Sequence, residues 1–214
     1  MNDASLPRWL EWARKIQALS QTGLAYAKSH YDRDIFARLS GIAAEITAEH
    51  TNLPLADIHR TFSLEPGYAT PKVDVRAAVI RNGRILLVRE NSDGKWAMPG
   101  GWADVGDFPA AAAERETLEE SGFVVRAVKL LGVFDANRGT KANAFYHAVK
   151  LVFLCDLVSG EAAPSEETLA VDFFDFESLP DLSMQRTNPR HLEEVRAHLN
   201  DPLRPAAYIT LYSL

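Results

Sequence analysis

Three glutamates, Glu116, Glu119 and Glu120, stand at i, i+3 and i+4. On a helix this spacing sets three carboxylates on one face, roughly 5–6 Å apart at Cβ. Like charges so placed repel, and Glu119 and Glu120 fall in the last turn, where the helix dipole disfavours anions. Arg115 is a nearby cation, but one guanidinium does not balance three carboxylates. A hard divalent ion does, because Mg²⁺ prefers carboxylate oxygen and water. The competing reading of a bare Glu-x-x-Glu-Glu is a solvated acidic helix face.

The surroundings alter that balance. Asp107 to Ser121 reads as a helix with an acidic start, Pro109 in its first turn and Gly122 at its C-terminal cap position. A Pro99-Gly100-Gly101-Trp102 turn precedes it, able to bring backbone oxygen or N–H groups close to the helix start. Seven specified positions at these spacings arise by chance on the order of once in a million chains of this size.

The segment resembles the Nudix box, Gly-x5-Glu-x7-Arg-Glu-U-x-Glu-Glu-x-Gly-U, with U a bulky aliphatic residue. Asp107 stands where the family has Glu, keeping the charge with a shorter reach, and Thr117 occupies an aliphatic position. Beyond the box, Gln21–Tyr26, Tyr31–Arg33 and Thr70–Arg76 look like the helical extension of Nudix enzymes acting on nucleoside diphosphates linked to a group X. The resemblance implies Mg²⁺-dependent hydrolysis of a P–O–P bridge, with Mn²⁺ as a substitute ion. It implies Glu116, Glu119 and Glu120 as metal ligands, with Glu120 central and Glu116 sharing a base role. The Gly101 carbonyl becomes an additional ligand, and Arg115 orients the glutamates. Glu166 and Glu167 become candidates for a further base, against the alternative of an exposed acidic loop. ADP-ribose and CDP-choline are the implied substrates.

Substrate contacts are read from charge and ring chemistry. Arg76 and Arg89, on strands near the box, are candidate phosphate ligands. Arg138, Lys141, His147 and Lys150 form a candidate basic patch, against surface charges or local ion pairs for each alone. Trp102 or Tyr68 is a candidate stacking partner for a base or ribose.

The elements that position these residues follow from pattern. Trp9, Trp12, Ala13, Ile16 and Leu19 recur at helical spacing, with Gly23 expected to end the helix. A second helix carries Ile35 to Ile46, with Asp32 or Asp34 as its expected cap, and a third covers Leu55–Phe62. Residues 65–71 read as a linker. Strands follow at Val73–Val79 and Ile85–Val88, joined by an Asn82-Gly83 hairpin signal, then at Trp96–Met98. Further strands are expected at Val124–Phe134, Phe145–Leu157 and Val171–Phe176, and a last helix at Pro189–Leu199. The expected fold class is mixed α+β. An α/β/α sandwich with a mixed sheet, residues 67–214, follows a small N-terminal helical domain, residues 1–66.

Composition bounds the class. Acidic residues outnumber basic ones, 29 to 23, which argues against broad nucleic-acid or anionic-membrane binding. The single cysteine, Cys155, lies in an apolar run and reads as a buried strand thiol. With neither a signal-like nor a membrane-length apolar stretch, the chain reads as soluble and cytoplasmic. The expected partner is a small nucleotide, with the N-terminal helices offering a homodimer surface. The alternatives are a catalytically silent ligand-sensing domain and a nucleoside triphosphate pyrophosphohydrolase.

Overall fold

The computed structural model describes residues 7–64, 66–136 and 147–208. By backbone contacts the chain divides into two compact units, the first holding the described residues up to Pro71 together with His147, the second the other described residues from Lys72 onward. The first is helical: α1 (Arg8–Tyr26), α2 (His30–Glu49) and α3 (Leu55–Ser63). Ala43, Ala44, Ile58 and Phe62 form its buried centre.

Two helix-end expectations are corrected here. Gly23 does not end α1, which continues to Tyr26. A Cβ at Gly23 would fall onto the Phe36 ring of α2, so the missing side chain serves helix–helix packing. Asp32 and Asp34 do not cap α2. Ser29 does, its hydroxyl accepting from the Asp32 N–H at 3.0 Å.

The second unit is a six-stranded mixed sheet with a helix on each face. Its strands are β1 (Lys72–Arg81), β2 (Arg84–Glu90), β3 (Trp96–Ala97), β4 (Phe123–Asp135), β5 (Ala148–Gly160) and β6 (Thr168–Phe174). The order is β3-β2-β1-β5-β4, and β6 also pairs with β2. β1 and β5 run parallel, and the other pairings are antiparallel. β1 is central and buried on both faces from Asp74 to Val79, its two charged residues, Asp74 and Arg76, being paired with each other. Alternation then assigns its faces. Val75 packs with Ala112 and Ala113 of α4 (Pro109–Ser121). Ala78 packs with Leu192 and Val195 of α5 (Pro189–Asn200).

Asn82 and Gly83 both take positive φ, 53° and 75°, which is the turn that joins β1 to β2 tightly. The two strands pair only beside that turn. Further along, β1 pairs instead with the Pro99–Ala103 segment: Val75 N–H donates to Gly101 O (2.8 Å), Ala77 to Pro99 O (2.9 Å) and Ala103 to Val73 O (3.0 Å). On the outer strand β4, Ala207 is hydrogen-bonded to Leu131 O and by Val133 N–H, a one-residue parallel bridge opposite Gly132.

Cys155 is buried, and burial pushes its thiol up to about 12. Among the described residues no helix is long and apolar enough to cross a membrane.

Candidate active site

The glutamate face belongs to α4. Its start lies two residues later than expected. Phe108 precedes Pro109 and is held extended, so Asp107 stands outside the helix in a turn whose N–H donates to Asp104 O. Gly122 closes the helix in the left-handed conformation, φ 76°.

The three glutamates sit in different surroundings. Glu119 is exposed, with 56% of its side chain accessible. Glu116 is mostly covered, and burial raises its carboxyl, with Glu119 adding to the rise and Arg115 opposing it. Glu120 is buried, and its Oε2 accepts from the Gly100 N–H at 2.7 Å. Burial pushes Glu120 up to about 7, Arg76 and the Gly100 bond oppose this, and Glu90 and Glu116 reinforce it. Thr168 Oγ1 fixes the same turn from the far side by donating to Glu120 O at 2.8 Å.

Arg115 gathers the acids around it. Its Nη1 lies 2.8 Å from Glu116 and 2.9 Å from Glu119, and its Nη2 lies 3.3 Å from Asp107 and 3.6 Å from Asp104. Asp107, the departure from the family pattern, thus reaches the same guanidinium as the box glutamates.

The Gly100-Gly101 turn is held against β1 and meets the helix directly. Gly100 has φ 138°, and a Cβ there would strike the Val75 carbonyl. A Cβ on Gly101 would lie 2.8 Å from Glu116 Oε2. The Gly101 backbone therefore meets the Glu116 side chain, while its carbonyl accepts from Val75 N–H.

Two expected substrate cations are corrected. Arg76 is buried and donates twice to Asp74, at 3.0 and 2.9 Å, and to Met98 O at 3.2 Å. Burial pulls its guanidinium down, but the Asp74 pair outweighs this and holds it above the usual value. Lys150 is likewise buried, and its ammonium donates to the carbonyls of Gln185 and Arg186, with Asp74 at 3.8 Å. Neither is an open phosphate ligand, because every donor faces inward. Register explains it: Asp74 and Arg76 of β1 lie opposite Lys150 and Val152 of β5, so these charges share one covered face. Arg89 is exposed, and its Nε is taken by Gly94 O at 2.7 Å. Trp102 is exposed beside the Gly100-Gly101 turn, paired through its backbone opposite Asp74. His147 is exposed just before β5. Arg138 and Lys141 lie outside the described residues.

Glu166 and Glu167 are exposed, but their loop is anchored. Asn91 N–H donates to Glu167 O (2.9 Å), and Asn91 Nδ2 donates to Glu166 O (3.3 Å). They line a pocket of about 390 Å³ with Glu90, Asn91, Ser92 and Arg186. Glu90 and Arg186 escaped the sequence reading. A carboxylate ending an apolar strand and an arginine in a polar loop carry no spacing signal.

The donor set fits a hard divalent ion. It is all oxygen, and the acids on this face outnumber the Arg115 guanidinium held among them. Among the described residues no three acidic side chains converge closely enough to cage an ion alone. An ion here would complete its shell with water or substrate oxygen, as Mg²⁺ commonly does.

Residues 70–195 match the NUDIX domain model, and residues 7–62 match a model described as a UDP-X-like, N-terminal oligomerisation domain. The chain belongs to the Nudix hydrolase family. It is 37% identical over 195 residues to a putative ADP-ribose pyrophosphatase, YjhB, of Bacillus subtilis (strain 168), covering 91% of this chain and 94% of that one. Among solved structures, a UDP-X diphosphatase is similar across 94% of this chain and 98% of its own, at 28% identity and TM-score 0.61. An ADP-ribose pyrophosphatase from Streptococcus suis 89-1591 is 34% identical with TM-score 0.59, covering 65% of this chain and 100% of that one. The Nudix assignment accounts for the mixed sheet and for the acidic helix between two of its strands.

Proposed function

We propose that this Nudix hydrolase cuts the diphosphate bridge of a nucleoside diphosphate linked to a second group X, in an Mg²⁺-dependent reaction. The products are a nucleoside monophosphate and phosphorylated X, with ADP-ribose or CDP-choline as the substrate type. The observation that carries the reading is the pairing of buried Glu120 with Glu116 on one helix face against the Gly100-Gly101 turn. The likeness to YjhB and to the UDP-X diphosphatase, each over nearly whole chains, supports an X-linked substrate.

Glu116, Glu119, Glu120 and the Gly101 carbonyl would hold the metal. When bound, Mg²⁺ supplies neutralisation of phosphate charge and a more acidic water. In the reaction a water oxygen forms a bond to one phosphorus as the bridging P–O bond breaks. The water proton passes to a carboxylate, for which Glu116, Glu166 and Glu167 are the candidates, and the leaving phosphate carries off the electron pair. Arg115 acts through the glutamates, holding their oxygens toward one side. Trp102, Arg89 and His147 are exposed and are the proposed contacts to the nucleoside, the phosphates or X. The exposed Trp12, Leu19 and Tyr26 of α1 are the proposed homodimer surface, in keeping with the description of the matching N-terminal model.

The test is a substrate panel with product identification: ADP-ribose, CDP-choline, NADH, diadenosine polyphosphates and nucleoside triphosphates, each with Mg²⁺ and with chelator. Expected products are two monophosphates, only with Mg²⁺, and Glu120→Gln should lower turnover by about two orders of magnitude or more. Retained wild-type turnover in that variant would remove Glu120 from the metal set. Pyrophosphate as the main product would point instead to a triphosphate pyrophosphohydrolase, and binding without cleavage to a sensor.

A further inference from the structure

The turn from Ser183 to Thr187 is fastened on several sides. Ser183 N–H donates to Trp96 O at 2.8 Å, and its hydroxyl donates to Asp93 Oδ2 at 2.7 Å. Arg186 and Thr187 N–H groups both return to Ser183 O, at 2.9 and 2.7 Å. Thr187 Oγ1 accepts from Met98 N–H at 2.8 Å, just before the Pro99–Gly101 turn. Buried Lys150 reaches across from β5 to the carbonyls of Gln185 and Arg186. The backbone of Arg186 is thereby held to two strands and to the glycine turn.

Its side chain is held differently. Arg186 Nε lies 3.1 Å from Glu90 Oε1, and the guanidinium is about one-third exposed. Glu90 is buried, and its Oε1 has no hydrogen-bond partner, so the Arg186 charge neutralises it without an aligned N–H. Arg186 likewise donates no side-chain hydrogen bond to any described residue, and among the described residues it is the one cation lining the pocket with Glu166 and Glu167. An ordinary surface arginine needs none of this: its ion pair contributes little, and its backbone is not braced by a buried lysine. Burying the Glu90 carboxylate costs stability unless something else is gained. Glu90 pairs with Thr168 across β2 and β6, and Thr168 Oγ1 donates to Glu120 O at 2.8 Å, which places the pair beside the acid helix.

Resting on the diphosphatase reading above, we infer that Arg186 is the substrate cation of this site, donating to phosphoryl oxygens, and that Glu90 is the positioning residue that holds it. With Glu90 at Nε, the terminal nitrogens Nη1 and Nη2 are left for a ligand, and a planar guanidinium edge matches two phosphate oxygens. The other lining acids would repel a bare dianion, so one fixed cation at this place decides whether the phosphates can lie there.

The test uses the full chain and two readouts. The first is equilibrium binding of α,β-methylene-ADP with Mg²⁺, for wild type, Arg186→Gln, Arg186→Lys, Glu90→Gln and the double variant Arg186→Gln/Glu90→Gln. Arg186→Gln should weaken binding by about tenfold or more while still folded at the assay temperature, with some loss of melting temperature because Glu90 loses its counter-charge, and Arg186→Lys should recover part of the binding loss. Glu90→Gln should weaken binding too, and the double variant should be no worse than Arg186→Gln alone, because Glu90 acts through Arg186. Wild-type binding in Arg186→Gln, no binding by the wild type, or losses that add in the double variant would each overturn the inference. If Glu90→Gln does not fold, the two Arg186 variants decide alone. The second readout is monophosphate release from the substrate panel. A wild type that binds the analogue but releases no monophosphate fails the function and leaves Arg186 standing. Turnover with Arg186→Gln binding unchanged fails Arg186 alone.

Discussion

Arg115 Nη1 stands 2.8 Å from Glu116 Oε1, and the same guanidinium also reaches Glu119, Asp107 and Asp104. These contacts are partly exposed, so their net contribution to stability is small. Their effect is on direction, since they fix where the carboxylate oxygens point. Arg115→Gln should fold normally but require more Mg²⁺ and lose roughly 10–100-fold in turnover, as expected when a group orienting metal ligands is removed. An Mg²⁺ titration of turnover checks this, and an unchanged titration curve would refute the orienting role.

Adjacent glycines should respond to alanine in opposite ways. At Gly100 the obstruction is backbone, the Val75 carbonyl, and φ is positive, so Gly100→Ala should lose ~3 kcal/mol or more. At Gly101 the obstruction is the end of the Glu116 side chain, which can move. Gly101→Ala should melt near the wild-type temperature yet turn over more slowly, because Glu116 is displaced. Denaturant melts beside initial rates distinguish the two, and equal stabilities would refute the contrast.

Lys150 gives a pH signature. Burial pushes its ammonium down to about 7 from 10.5. Between these values the unfolded chain binds more protons than the folded one, so stability rises with pH from 7 upward. The gain is up to about 1 kcal/mol per pH unit. Above 9 the buried Cys155 thiol works in the opposite sense, its value being raised from 9.0 to about 12, and near 7 Glu120, raised to about 7, does the same, so the lysine is isolated over pH 7–9 by comparison with a variant that keeps both groups. Lys150→Met removes the titrating group. Its stability should be flatter across that window than wild type, by chemical denaturation at pH 7, 8 and 9, and a parallel slope would count against the assignment.

In the helical unit, Gly23→Ala improves intrinsic helix propensity by about 1 kcal/mol but drives a methyl into Phe36. Overpacking should win, with a net loss of about 1–2 kcal/mol. Pairing it with Phe36→Leu should return part of the loss. Stabilisation by Gly23→Ala alone would show that the helices do not meet there.

The periodic features were legible from the residues: the acid helix, the Asn82-Gly83 turn and the buried strand through Val75, Ala77 and Val79. Each depends on neighbours close in sequence. What was not legible depends on distant partners. Gly23 carries the letter of a helix stop, and only the proximity of Phe36 shows it to be a packing notch. Lys150 and Arg76 look like phosphate ligands until the parallel register of β1 and β5 sets them on one covered face with Asp74. Arg186 is separated from Glu90 by 96 positions and from Lys150 by 36, so no local pattern could join them. Asp107 was legible as a departure from the box, but its shared hold on Arg115 was not.

The short bridge from Ala207 to β4 has a consequence for handling the protein. β4 is the outermost strand of its side of the sheet, and its free N–H and C=O groups would be a template for pairing with another chain. By hydrogen-bonding at Leu131 and Val133, Ala207 occupies part of that template with the chain's own backbone. Shortening the chain ahead of Pro205 would uncover those groups without touching the acid helix. The first symptom would be edge-to-edge association that grows with protein concentration while the remaining monomers keep their full specific activity.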